Sequence, residues 1–116
     1  MNIETSLFVN DLNSLIRQFK FKEALEKYYD ENILTSENES PPVSGLEAYK
    51  KNLEVFIENV SNYSAKLLSV LISDGITVTE WHYKFQHKLW GNWDKVQVSV
   101  QRWKNGKIIQ ERHYYN

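Results

Sequence analysis

Apolar residues keep a helical spacing as far as Val60 in this chain and alternate one by one from Asn62 onward. That single change of period dictates helices first and strands second. Side chains share a face about every 3.6 residues in a helix and every second residue in a strand. Phe8, Leu12, Leu15, Ile16 and Phe19 make one stripe. Phe21, Ala24, Leu25 and Tyr28 make a second, opposite Lys22, Glu23, Glu26 and Lys27. Asp30-Glu31-Asn32 breaks the pattern, Ile33-Leu34-Thr35 predicts a short strand, and residues 36–44, with Asn38, Pro41 and Pro42, read as a loop. Ser44-Gly45-Leu46-Glu47 has the form of a capping box. It opens a third helix striped by Leu46, Tyr49, Leu53, Phe56, Ile57 and Val60.

The alternating half divides into runs at 64–73, 76–88, 95–104 and 107–115. Asp74-Gly75 and Asn105-Gly106 are tight-turn pairs, the first predicted as type I′ because glycine accepts a positive φ. Trp90-Gly91-Asn92-Trp93-Asp94 predicts a turn or bulged loop. The hairpin-linked runs form an antiparallel meander behind three helices, an α+β two-layer arrangement. With 116 residues there is room for one core, so residues 1–116 are expected to form a single domain.

Composition narrows the function. Lys and Arg total 14 against 15 Asp and Glu, so the basic excess of a nucleic-acid surface is missing and no nucleic-acid partner is expected. Zero cysteines exclude a disulfide scaffold, a thiolate metal site and a cysteine nucleophile. His82 and His87 fall on opposite faces of one strand and have no ligand spacing with His113, so no metal is expected. No apolar stretch approaches the roughly 20 residues that span a bilayer. No membrane contact and a cytoplasmic location are expected. Aromatics reach 14%, mostly in the second half, and rings at that density line a core, a cavity or an interface.

Long strands twist, and a twisted sheet curls around what packs in its concavity. On residues 76–88 the ring-bearing set Thr77, Thr79, Trp81, Tyr83, Phe85 and His87 should face the helices. On residues 107–115 both alternating sets mix polar and apolar members, so the inward face stays open. Val96, Val98 and Val100 oppose Gln97, Ser99 and Gln101. If the valines lie outward with Ile76, Val78 and Ile108, the outer patch is large for a monomer and predicts a homodimer.

The order of these elements resembles the nuclear transport factor two-like superfamily and, within it, the SnoaL-like branch of small proteins. The resemblance is carried by the long third helix, Glu80-Trp81, Trp103-Lys104-Asn105-Gly106-Lys107-Ile108 and Glu111-Arg112-His113-Tyr114-Tyr115. The loop Glu37-Asn38-Glu39-Ser40-Pro41-Pro42 with Gly45 adds to it. It covers nearly the whole chain. It implies a cystatin-like α+β cone, three N-terminal helices on a strongly curved antiparallel sheet. A pocket would lie between the layers, and homodimers would form through the outer sheet face. Superfamily enzymes include ketosteroid isomerase, limonene epoxide hydrolase and polyketide cyclases, which use a pocket carboxylate and no cofactor. The epoxide hydrolases carry Thr-Glu-Arg-x-Asp and Arg-Asp-Tyr-Phe-Asp runs. Here Trp81, Tyr83 and His113 replace their polar catalytic groups, so that hydrolysis mechanism does not transfer. The same placement implies that Trp81, Tyr83, Glu111 and His113 point inward.

His113 is therefore the candidate catalytic residue, since imidazole exchanges protons near neutral pH. Glu111 would orient it, with Tyr29, Tyr83 or Tyr115 as hydroxyl donors. A half-buried histidine satisfied by a neighbour is the structural alternative. Trp81, Tyr83, Phe85 and Trp103 are candidate ring walls of a ligand cage, or plain core. Glu37 and Asn38 are a candidate polar lip, or local turn formers. The sequence thus predicts a cofactor-free domain binding a small apolar or aromatic molecule, with isomerase, cyclase or hydrolase chemistry. The alternative is a non-catalytic ligand-binding or dimerising module.

Overall fold

The computed structural model describes residues 3–116. Three helices, α1 (Ile3–Arg17), α2 (Phe21–Tyr28) and α3 (Leu46–Asn59), pack on one six-stranded sheet. The strands are β1 (Tyr29–Glu37), β2 (Val43–Ser44), β3 (Val60–Ser73), β4 (Ile76–His87), β5 (Gly91–Lys104) and β6 (Lys107–Tyr114), in the spatial order β2-β1-β6-β5-β4-β3. Pairing is antiparallel except where β1 lies parallel to β6. That parallel pair is the one long-range closure the meander itself does not predict. Three one-residue bulges, between Ser61 and Ser64, at Leu68 and at Ile109, interrupt otherwise regular registers and locally bend and twist the strands.

The first stripe ends by geometry rather than by a breaker residue. The Lys20 amide bonds the Leu15 carbonyl and the Phe19 amide the Ile16 carbonyl, a Schellman closure with Phe19 in the left-handed position at φ 63. A non-glycine residue there carries strain of about 1 kcal/mol. Edge-to-face packing of its ring on Phe21 (5.2 Å) and Tyr63 (5.0 Å) offsets it. The core gathers Leu12, Leu15 and Ile16 of α1, Leu25 of α2, Ile33 of β1 and Ile108 of β6.

Several local expectations are corrected. Ser44 is not a helix cap: it pairs with Leu34 as β2, and Gly45, at φ 96, precedes the first turn of α3 without any side-chain cap. The Gly45 amide is held instead by the Ile33 carbonyl at 2.8 Å. Residues 36–44 are a loop only in their middle, because β1 runs to Glu37 and β2 occupies Val43–Ser44. The Asp30-Glu31-Asn32 break is taken up inside β1 as an irregular register between Tyr29 and Leu34. Gly91 to Asp94 belong to β5, opposite His87 to Lys84, so the turn is shorter than expected. Gly75 alone has a positive φ in its turn, which is therefore not type I′. Asn105 and Gly106, at φ 52 and 76, do form that type.

The inward set of β4 is the ring-bearing one, with Thr77, Thr79, Trp81, Phe85 and His87 buried. On β5 the order is inverted relative to a plain core strand: Ser99 and Gln101 are buried inside, while Val96 is 45% exposed on the outer face. On β6 the bulge at Ile109 shifts the phase, so Ile108 from one alternating set and Glu111 from the other both point inward. Ile108, fully buried, is thus absent from the outer patch.

Candidate functional site

The register of β4, β5 and β6 assembles a polar row across the inner sheet face. Thr77 stands opposite Gln101 and Gln101 opposite Glu111; Ser99 stands opposite His113. On the other side β1 sets Thr35 beside Glu111 and Glu37 beside His113. Glu111, 1% exposed, is the hub. Its Oε2 accepts from the Tyr29 hydroxyl at 2.5 Å and the Gln101 amide at 2.7 Å. Its Oε1 accepts from the Tyr49 hydroxyl at 2.8 Å and from His113 Nε2 at 3.0 Å. Four donors on two oxygens match the lone-pair capacity of a carboxylate, which is why this buried charge is tolerated.

His113 is held at both ring nitrogens. Nε2 points to Glu111, and Nδ1 meets the Ser99 hydroxyl at 2.8 Å and the Gln97 amide at 3.2 Å. Burial pushes the Glu111 carboxyl up, but the imidazolium charge and the converging hydrogen bonds outweigh it and hold the group well below the usual carboxylate range. Burial pushes the imidazole down; the Glu111 charge, with its hydrogen bond and a contribution from Glu37, overcomes this and raises it. Tyr29 and Tyr49 are pushed far above the ordinary phenol value by burial and by the same carboxylate, so they stay protonated and donate to it. Behind Glu111 the Trp103 indole donates to Thr77 Oγ1 at 3.0 Å, Thr77 donates to Gln101 Oε1 at 2.8 Å, and Gln101 donates to Glu111.

The ring residues divide by position. Trp81 stacks on Tyr83 at 5.6 Å, and Tyr83 makes no hydrogen bond to Glu111 or His113 among the described residues. Phe85 lies further toward the β4–β5 turn, against Phe56 (5.1 Å) and Trp93 (5.5 Å). Trp103 does not belong to that wall. It packs on Phe8 and Tyr28 at the opposite end, closing the core. Glu37 accepts from the Tyr115 hydroxyl at 2.9 Å, so Tyr115 serves Glu37 and not Glu111. Asn38, at φ 51, accepts the Tyr115 amide and donates its own amide to the His113 carbonyl, which makes it a turn former tying down the end of β6. Tyr49, Gln97, Ser99 and Gln101 were not singled out by sequence reasoning. The signal for the β5 trio was present, since polar residues alternating with valines can face the core when a buried charge awaits them.

Two open cavities lie elsewhere. One, of about 170 Å³, is on the outer face around Ser36, Ser40, Pro42 and Arg112. The other, about 150 Å³, lies between α2 and α3 at Leu25, Leu53 and neighbouring charged residues. Among the described residues no three His, Asp or Glu side chains converge as metal ligands would, and no helix is long and apolar enough to cross a membrane.

No family model and no curated protein matches the sequence. Solved structures do. A protein of Mesorhizobium loti assigned as a SnoaL-like polyketide cyclase superposes with a TM-score of 0.82 at 26% identity, over 99% of this chain and 100% of the other. The chain matches the nuclear transport factor two-like superfamily, in its SnoaL-like branch. An isomerase assignment from Bacillus subtilis (TM-score 0.79, 17% identity, 100% of this chain and 90% of the other) shares the architecture. So does an LEH-like epoxide hydrolase of M. tuberculosis (0.78, 12%, 97% and 83%). At those identities the last two show the fold alone. In this chain the same architecture carries a Glu-x-His pair on the last strand, clamped by two tyrosines and two glutamines.

Proposed function

We propose that this chain binds a small apolar or aromatic molecule between helices and sheet, and that the Glu111–His113 pair moves a proton to or from it. One observation carries the reading. A fully buried carboxylate fixes His113 through Nε2, and the opposite nitrogen, Nδ1, is held only by a hydroxyl and an amide that a ligand can replace. A carboxylate that orients and charges an imidazole is the arrangement general acid–base catalysis requires. The chemistry that suits it is cofactor-free: enolisation, cyclisation or hydrolysis initiated by proton transfer. The assigned activities of the structural neighbours, cyclase and isomerase among them, support this class without naming a substrate.

A second reading, a non-catalytic ligand-binding or dimerising module, is favoured by the partners already present on both ring nitrogens. The outward valines support a homodimer through the outer sheet face, and the absence of cysteine fits a cytoplasmic location. The two readings separate on 2-tetralone, an aromatic ketone with acidic C–H bonds. In deuterium oxide the wild type should bind it, shift the His113 ring resonances in NMR, and accelerate deuterium uptake beside the carbonyl. His113→Gln, whose amide still donates to Glu111, should abolish the uptake and keep the fold. Saturable binding without uptake selects the second reading. Absence of binding by this and other flat apolar probes refutes the first reading and leaves of the second only the dimerising module.

A further inference from the structure

We infer that the interlayer site recognises the anionic end of its ligand, an aromatic or apolar carboxylate, through Lys95. The inference rests on the small-molecule reading above and deepens it. Lys95 stands on the inward face of β5, opposite Tyr83 and between Trp93 and Gln97. Its ammonium lies 4.4 Å from the centre of the Trp93 ring and 5.5 Å from that of Tyr115, and it makes no ion pair among the described residues. Aromatic faces attract a cation but leave its charge uncompensated. On the inward face Glu111 is paired with His113, and Glu37 accepts from the Tyr115 hydroxyl without reaching Lys95. Lys95 is thus an inward charge with no direct counter-ion among the described residues.

A second donor at the same end points to the same chemistry. His87 is buried, and its ring stacks on Trp90 at 3.7 Å and on Phe56 at 6.2 Å. Its Nδ1 accepts the backbone amides of Leu89 and Trp90, which assigns the proton to Nε2. That Nε2 is buried without a protein partner. Between Lys95 and His87 lies the stacked pair Phe85 and Trp93, 5.5 Å apart and tilted by only 9°. Two acceptor-seeking donors flanking a ring platform fit a flat acid: its apolar body on the rings, its carboxylate at Lys95, and any further oxygen at His87. A cationic ligand would have to displace Lys95 from the rings and would leave the His87 donor unanswered.

The test compares 2-naphthoate with its neutral analogue 2-acetonaphthone and the cation 2-naphthyltrimethylammonium by calorimetry and NMR. The wild type should bind 2-naphthoate about tenfold tighter than the ketone, the gain expected of one charge-assisted hydrogen bond, with the margin shrinking at high salt. Lys95→Met, which keeps the apolar stem over Trp93, should erase that margin, and Lys95→Arg should restore most of it. Equal affinity for acid and ketone in the wild type overturns the inference and leaves the small-molecule reading standing. So does a margin that survives in Lys95→Met, or a preference for the cation. If none of the three binds, the small-molecule reading and this inference fall together.

Discussion

Replacing Glu111 by glutamine isolates the energetics of the site with almost no change of shape. The carboxylate accepts four hydrogen bonds, from Tyr29, Tyr49, Gln101 and His113. An amide keeps one acceptor oxygen and turns a donating NH2 toward at least one of those donors. Breaking a buried, hydrogen-bonded ion pair from one side costs about 3–5 kcal/mol. The linkage argument gives a similar size. Held at about 2 instead of 4.5, the carboxyl contributes on the order of 3–4 kcal/mol at about 1.4 kcal/mol per pKa unit. Because the folded value is depressed, this contribution is complete above pH 4.5 and fades as the pH falls toward 2. His113 is raised, so its share is complete below the ordinary imidazole value of 6.5 and is lost as the pH climbs through its folded value. The gap between wild type and Glu111→Gln should therefore be widest between about pH 4.5 and 6.5. Urea unfolding followed by tryptophan fluorescence at half-unit steps from pH 2 to 9 measures it. A gap under about 1 kcal/mol at pH 5.5, or one that stays constant down to pH 2, refutes the ion-pair account of Glu111.

Tyr49→Phe should cost about 1–3 kcal/mol by leaving one carboxylate lone pair unserved, and in Glu111→Gln that cost should shrink. Additive losses in the double-mutant cycle would show that the two groups do not interact. Thr79→Val should be neutral or stabilising, because Thr79 Oγ1 is buried with no protein partner; a loss above about 1 kcal/mol in urea would contradict this. Sedimentation at micromolar concentration should give twice 13.8 kDa for the wild type and 13.8 kDa for the double variant Leu71→Glu, Val96→Lys. Those side chains, 68% and 45% exposed on the outer face, are the ones a partner copy would cover. A wild-type monomer would remove the dimer from the proposal.

Local patterns announced the elements but missed their ends. Ser44 carries a capping signature, yet backbone pairing with Leu34 claimed it first, since a ladder bond made by a neighbouring strand competes directly with a cap. Residues 91–94 look like a loop because Gly and Asn are poor strand formers. They pair all the same, because their partners on β4 were already fixed by the hairpin. Tyr49 read only as one apolar tooth of a helix stripe. Its hydroxyl acquires a role from Glu111, 62 residues away.

The candidate pair Glu111 and His113 came from the family resemblance. By itself, then, the sequence determined what depends on near neighbours: helices before strands, turns at Gly75 and Gly106, and the inward ring face of β4. Periodicity encodes these because a residue and its next-but-one companion share a face whatever else the chain does. Tertiary structure alone decided which way β6 faces, through a single extra residue at Ile109. It also turned the valines of β5 outward and its glutamines in. The reason is electrostatic: a carboxylate buried at Glu111 needs donors, and cross-strand register, which no local pattern records, determines which side chains can supply them.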